Sequence, residues 1–196
     1  MSRISLASIG VLSLAFTAAA QSGSWQLDPM HSAAQFSVRH MGISTVRGAF
    51  TKLSGNVQYD PADLGKTVID VTIDAASVDS RVERRDNDLK SDHFLDVQKY
   101  PTITFKSKRV EPSGTDKVKV IGDLTLHGVT KEVTLDVDGP SKPMKDPRGN
   151  EHMGASASTT INRIDFGVNG APGMVGNDVA ITIDVEMVKP SASTGK

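Results

Sequence analysis

The stretch Val179-Ala-Ile-Thr-Ile-Asp-Val-Glu-Met187 decides the fold. Val179, Ile181, Ile183, Val185 and Met187 share one parity, against Thr182, Asp184 and Glu186. Successive side chains of a strand point to opposite faces, so the segment has one apolar and one polar face. The same period recurs upstream. Ala34, Phe36, Val38 and His40 oppose Gln35, Ser37 and Arg39. Ile69, Val71, Ile73 and Ala75 oppose Asp70, Thr72 and Asp74, and Ile103 and Phe105 oppose Thr102, Thr104 and Lys106. Val133, Leu135 and Val137 oppose Thr134, Asp136 and Asp138. Val118, Val120, Leu124 and Leu126 keep one parity, which Gly122 interrupts. Phe50 to Tyr59 and His152 to Ile161 read as weaker strands of small and polar residues.

Alternation with one wetted face is the pattern of antiparallel sheet. Turn residues punctuate it at Asp28-Pro29, Asp60-Pro61, His127-Gly128, Gly139-Pro140 and Asp146-Pro147-Arg148-Gly149. Long sequential strands, about eight of them, predict an all-β chain folded as an eight-stranded antiparallel up-and-down barrel. Such a barrel has an interior that side chains can fill or that can hold one ligand. Aromatics are only 5% of the chain and the inward parity is mostly aliphatic. The pattern alone leaves both an open apolar tube and a bore closed by side chains meeting at its axis.

One segment breaks the period. From Ser77 to Ser107, Val78, Val82 and Leu89 stand four and seven apart, the spacing of one helix face. Ser80 with Glu83 reads as a capping box, so one inserted helix is expected to open at Ser80. The gap in its apolar stripe falls on Arg85 or Asp86, so a charge is expected on the buried face, with Arg163 and Asp165 as its candidate partners.

At 196 residues with a net charge of −1, the chain supports one domain and lacks the basic footprint of a nucleic-acid binder. Residues 1–20 read as a signal peptide: Arg3, then an apolar run from Ile4 to Phe16, then Ala18-Ala19-Ala20. Export to the periplasm or medium with cleavage near Ala20 is expected, an uncleaved anchor being the alternative. The domain then runs over 21–189, and the polar segment 190–196 reads as a disordered tail. The chain has no cysteine, which removes disulfides, lipoprotein modification and thiolate chemistry. The five histidines have no zinc-type spacing, so no metal and no cofactor are expected. A nucleophile elbow and a P-loop are both missing, and nothing in the sequence brings two carboxylates together for acid–base work. Gly170 to Gly176 precedes a strand and reads as a flexible connection at a barrel mouth.

Several blocks, in order, resemble one family. Asp28-x-x-His31-Ser32 leads to Phe36, Val38 and His40, then Gly48-x-Phe50. Ser77-Val78-Asp79, Arg85-Asp86, Leu89, Phe94 to Pro101 and Phe105 follow. Leu124 to Lys131 and Asn162-Arg163-x-Asp165-Phe166-Gly167 complete the set. Together they resemble the YceI-like, polyisoprenoid-binding proteins over about Ser24 to Val188. One position departs: where the family often has histidine after the Arg-Asp pair, this chain has Asp88.

The resemblance implies a lipocalin-like barrel with an open bore that holds an isoprenoid or other long-chain fatty lipid, without catalysis. Phe36, Val38, Phe50, Ile69, Val71, Ile73, Phe105, Val120, Leu124, Leu135, Phe166 and Ile181 are the expected apolar lining. His31, His40, Arg85, Asp86, Arg163 and Asp165 are the polar residues of these blocks, expected to meet a head group or to brace the fold. A lipid carrier, store or scavenger is the leading reading. A hydrolase or transferase acting on an isoprenoid head group, and a ligand-free stress-related structural protein, are the alternatives. A homodimer is compatible with all three.

Overall fold

The computed structural model describes residues 23–189; the expected leader, its cleavage site and the tail 190–196 lie outside the described residues. The strands are β1 Gly23–Leu27, β2 Ala33–His40, β3 Ser44–Phe50, β4 Leu53–Tyr59, β5 Val68–Asp74 and β6 Val78–Asp79. After helix α1, Glu83–Lys90, come β7 Thr102–Gly114, β8 Lys117–Leu126, β9 Val129–Asp138, β10 Met144–Lys145, β11 Glu151–Asn162 and β12 Val175–Lys189.

The segments β1 and β2 are two halves of one bent stave, because both pair with β12. β3 and β4 form the next stave: β3 pairs with β2 and β4 with β1. From there the order is sequential and antiparallel throughout: β4–β5, β5–β7, β7–β8, β8–β9, β9–β11 and β11–β12. β12 then closes the ring by pairing with the first stave. The result is the eight-stave up-and-down barrel, with β6 and β10 as short additions beside β3 and β11.

Register follows parity. Ile181 lies opposite Phe36 on one side and Thr159 on the other, and Val71 lies opposite Phe105. The polar parity carries cross-strand ion pairs on the outside, such as Lys106–Asp70 at 3.1 Å and Lys117–Asp138 at 2.9 Å. Exposed pairs of this kind contribute under about 1 kcal/mol each.

Clusters of packed side chains lie at both ends. At one, Trp25, Val57, Met153 and Met187 form a buried cluster. At the other, Phe94, Val97, Ile103, Leu126, Ile161, Phe166 and Val168 pack around Ala75. Ala75 has therefore left the wall: it opens a short 3-10 turn after β5 and is 1% exposed.

The helix differs from its sequence reading. It opens at Glu83, its N-cap is Val82, and no side chain caps it. Val82 is 46% exposed, and Val78 lies in β6, so neither builds a buried helical stripe. Ser80 serves another purpose. It is 2% exposed, and its N–H and hydroxyl both donate to Asp86 Oδ1, at 2.8 and 2.5 Å. Arg85 in turn donates from Nε to the Ser80 hydroxyl at 2.7 Å and from Nη2 to the Ser80 carbonyl at 2.8 Å. The charges at the break in the stripe thus satisfy a buried serine next to the helix, and Arg163 and Asp165 take no part in these bonds. A serine six residues before an aspartate can reach it only if the chain doubles back, which Arg81 allows by adopting a positive φ of 65°.

Burial pushes the Asp86 carboxyl up, but the two Ser80 bonds and the charges of Lys90 and Arg85 outweigh it and hold it below its ordinary 3.8. A lowered folded pKa means the stabilisation is full above the unfolded value and is lost as pH falls below it. Asp86→Ala is expected to cost about 2 kcal/mol or more, since it strands buried Ser80 donors. Asp88, half exposed beside His93, should cost under about 0.5 kcal/mol on the same change. Urea melts of both variants check this. Asp86→Asn should also flatten the acid limb of the stability curve, and equal costs for the two alanines would refute the role assigned to Ser80.

Candidate functional site

Between the two end clusters lies a cavity of about 300 Å³. An eight-stave barrel can be filled by its own side chains or can hold one ligand, and here the wall leaves space along the axis. Two aromatic rings that could fill it lie flat against the wall instead. Phe36 sits over Gly48 on the neighbouring strand, where an added Cβ would come within 2.5 Å of its ring. Phe105 does the same over Gly122, at 2.6 Å, so the glycine that interrupts the β8 parity is a seat for a ring. Phe36 also packs on Phe50, with ring centroids 5.9 Å apart.

Eleven of the twelve expected lining residues face this cavity: Phe36, Val38, Phe50, Ile69, Val71, Ile73, Phe105, Val120, Leu124, Leu135 and Ile181. Phe166 does not. It sits in the 3-10 turn Arg163–Phe166, where strand parity no longer applies, and is buried in the end cluster at 2% exposure. The wall also includes Val133, Val179, Ile183 and Val185, whose parity is legible in the sequence, and Leu89, Phe94 and Leu95 from the α1 segment. The position of that last group depends on how the β5–β7 connection folds over the barrel end, which no local pattern reveals.

The six polar residues do not converge on one head-group site. Arg163, 4% exposed, reaches the cavity wall, but its guanidinium is committed to backbone carbonyls. Nε donates to Gly176 at 2.9 Å, Nη1 to Val168 at 2.6 Å and Nη2 to Val175 at 3.0 Å. It braces the 168–176 connection, and burial presses its pKa below the usual arginine range. Asp165 is exposed. His40 ends β2, half-buried, opposite Ser44 and Val175. Arg85 and Asp86 serve Ser80, as described above.

His31 lies outside the bore, in the turn between β1 and β2. Its Nδ1 is 2.8 Å from Asp28 Oδ2, which raises its pKa and lowers that of Asp28. Nearby, His152 Nδ1 is 2.7 Å from Glu186 Oε1 and its Nε2 is 3.3 Å from Asp146 Oδ2. The Glu186 bond is the main cause of the raised His152 pKa. Burial works to raise the Asp146 carboxyl, but hydrogen bonds from Asn150, His152 and Arg148 outweigh it and bring the pKa down to about 2. Spacing along the chain gives no hint of this cluster, because Glu186 comes from the last strand.

Polar atoms are few along the cavity. The wall has threonines at 67, 104 and 159, with Gln35, Tyr59 and Arg163. Among the described residues, Thr67 Oγ1 is buried without a hydrogen-bond partner.

Comparison with known proteins places this geometry. A YceI-like domain model matches residues 25–187. A UPF0312 protein of Pseudomonas putida is 40% identical over 159 residues, 81% of this chain and 82% of its own length. One from Vibrio cholerae is 35% identical over 158 residues, 81% and 83% of the two chains. The crystal structure of Campylobacter jejuni YCEI protein is similar at a TM-score of 0.69 and 34% identity, covering 78% of this chain and 90% of that one. A polyisoprenoid binding domain from Saccharophagus degradans shares the fold at a TM-score of 0.62 and 18% identity, covering 87% and 100%. With its barrel, its end-capping segment and its matched residues all in agreement, this chain belongs to the YceI-like family.

Proposed function

We propose that this protein is an exported carrier that sheathes the tail of a polyisoprenoid or similar long-chain lipid in its bore, without chemical turnover. The observation that carries the reading is the cavity wall itself, which is aliphatic and aromatic along nearly its whole length. Such a wall stabilises a tail by about 0.8 kcal/mol for each methylene-sized unit withdrawn from water. It distinguishes weakly between tails, because one methylene more or less changes binding by only about 1–3 kcal/mol. A polyisoprenoid binding domain that shares this fold supports the same ligand class.

The wall also bears on the ligand's polar end. Arg163 is the cationic side chain at the cavity, and its donors are spent on carbonyls. Among the described residues that line the bore, a phosphate would meet no free cation, and burying it unpaired is costly. The part of the ligand inside is therefore uncharged. A charged head group, where one exists, stays in water.

Native mass spectrometry of the purified protein should show a co-purifying lipid. Ala157 lines the cavity opposite Ile183 and Val137, so Ala157→Phe narrows the bore from one wall. That variant should keep its far-UV spectrum and lose most of the bound lipid. A folded Ala157→Phe protein that carries lipid as wild type does would place the ligand elsewhere.

Export rests on the N-terminal pattern alone. The intact mass of protein recovered from the periplasm or medium should correspond to Gln21–Lys196. Recovery of the exported product with residues 1–20 still attached would favour the anchor.

A further inference from the structure

On the outer face, away from the bore, the turn between β1 and β2 is clamped to β12 through the backbone of Glu186. The Asp28 N–H donates to the Glu186 carbonyl at 2.8 Å, and the Glu186 N–H donates to Ser32 Oγ at 3.1 Å. The clamp fixes Asp28 and His31 beside the outward side chain of Glu186. One oxygen of Asp28, one ring nitrogen of His31 and one oxygen of Glu186 all lie within 4.8 Å of one another. His152 on β11 extends the group, 2.7 Å from Glu186 and 3.3 Å from Asp146. His31, Asp146, His152 and Glu186 share an open groove on this face.

We propose that Asp28, His31 and Glu186 form a binding site for a divalent first-row transition-metal ion, with zinc(II) as its representative. An imidazole nitrogen combined with carboxylate oxygens suits zinc, copper or nickel, whereas calcium and magnesium take oxygen donors. A tetrahedral ion with donors at about 2.1 Å holds neighbouring donors about 3.4 Å apart. The three side chains reach that spacing by movements of about an ångström, within the freedom of partly exposed side chains. His31 is 62% exposed, Glu186 35% and Asp28 20% at the side chain.

The surroundings supply an outer shell. His152 can donate from Nδ1 to one oxygen of Glu186, which orients the carboxylate and leaves its second oxygen to the metal. The 2.8 Å contact between His31 and Asp28 already orders those two groups. An incoming ion replaces the proton they share, so binding releases a proton to solvent and strengthens as pH rises. Three carboxylates outnumber the two imidazoles, so the groove keeps a net negative charge that favours a cation even with both rings protonated. The site lies outside the bore and stands independently of the lipid reading.

The test is calorimetric titration of the untagged, chelator-stripped protein with zinc chloride in a non-coordinating buffer at mildly alkaline pH. One saturable equivalent is expected. His31→Ala and Glu186→Gln should each weaken it by at least about tenfold. Glu186→Gln keeps the backbone clamp, and circular dichroism confirms that both variants fold. His93→Ala, at the exposed pair beside α1, should bind as wild type does. X-ray absorption at the zinc edge should show only nitrogen and oxygen donors, with imidazole among them. Absence of saturable binding would overturn the proposal. So would unchanged affinity in His31→Ala and Glu186→Gln, or loss of binding in His93→Ala.

Discussion

The structure depends on one strand being paired along both edges. β12 takes β11 on one side over twelve residue pairs, from Glu151↔Lys189 to Asn162↔Asp178. On the other side it takes β2 and then β1. Without that double pairing the staves are an open sheet, with unsatisfied backbone groups at its two edges and an apolar face in water. With it, the edges disappear and the alternation of every strand becomes a division between inside and outside. The purely geometric act of closure is what turns a list of valines and isoleucines into a cavity wall.

Closure alone does not keep the cavity hollow. An eight-strand barrel can be filled from its own wall, and Phe36 and Phe105 are large enough to contribute. Each is drawn aside by a glycine on the adjacent strand. The missing Cβ on Gly48 or Gly122 lets a ring lie along the wall rather than across the axis, so two small residues decide how much of the bore stays open. At the ends the reverse holds: Phe94, Phe166 and Val168 at one and Trp25 and Met187 at the other are buried in packed clusters.

What the sequence revealed and what it hid divide along physical lines. Within a strand, position determines face, so Ile181, Val71 and Leu135 could be placed from alternation alone. Where the backbone leaves the strand that rule lapses: Phe166, expected on the wall, and Ala75, which continues the β5 alternation, are both buried in the end cluster instead. The Ser80–Glu83 pair resembles a capping box, but a positive φ at Arg81 redirects the chain. Ser80 is then served by Asp86 and Arg85, an arrangement that spacing alone cannot distinguish from a cap. Arg163 was legible as a residue of consequence, but its partners are main-chain carbonyls, which every sequence position carries alike. The grouping of Asp28, His31 and Glu186 was invisible because it exists only once the first turn meets the last strand.

The order of the staves also governs how the barrel can be made. Each stave pairs with its neighbour in the chain, so apart from the long β5–β7 connection the meander can assemble from local contacts at small entropic cost. The closing step is different, since β1 and β2 must find β12, whose residues lie more than a hundred positions away. Until Val175–Lys189 is available to pair, the chain can reach no further than a curled sheet with its future bore exposed. Any truncation inside β12 therefore removes more than one strand's contacts. It leaves an intermediate with two sticky edges and a greasy face, the form most exposed to aggregation, and makes the last strand a checkpoint for the whole molecule.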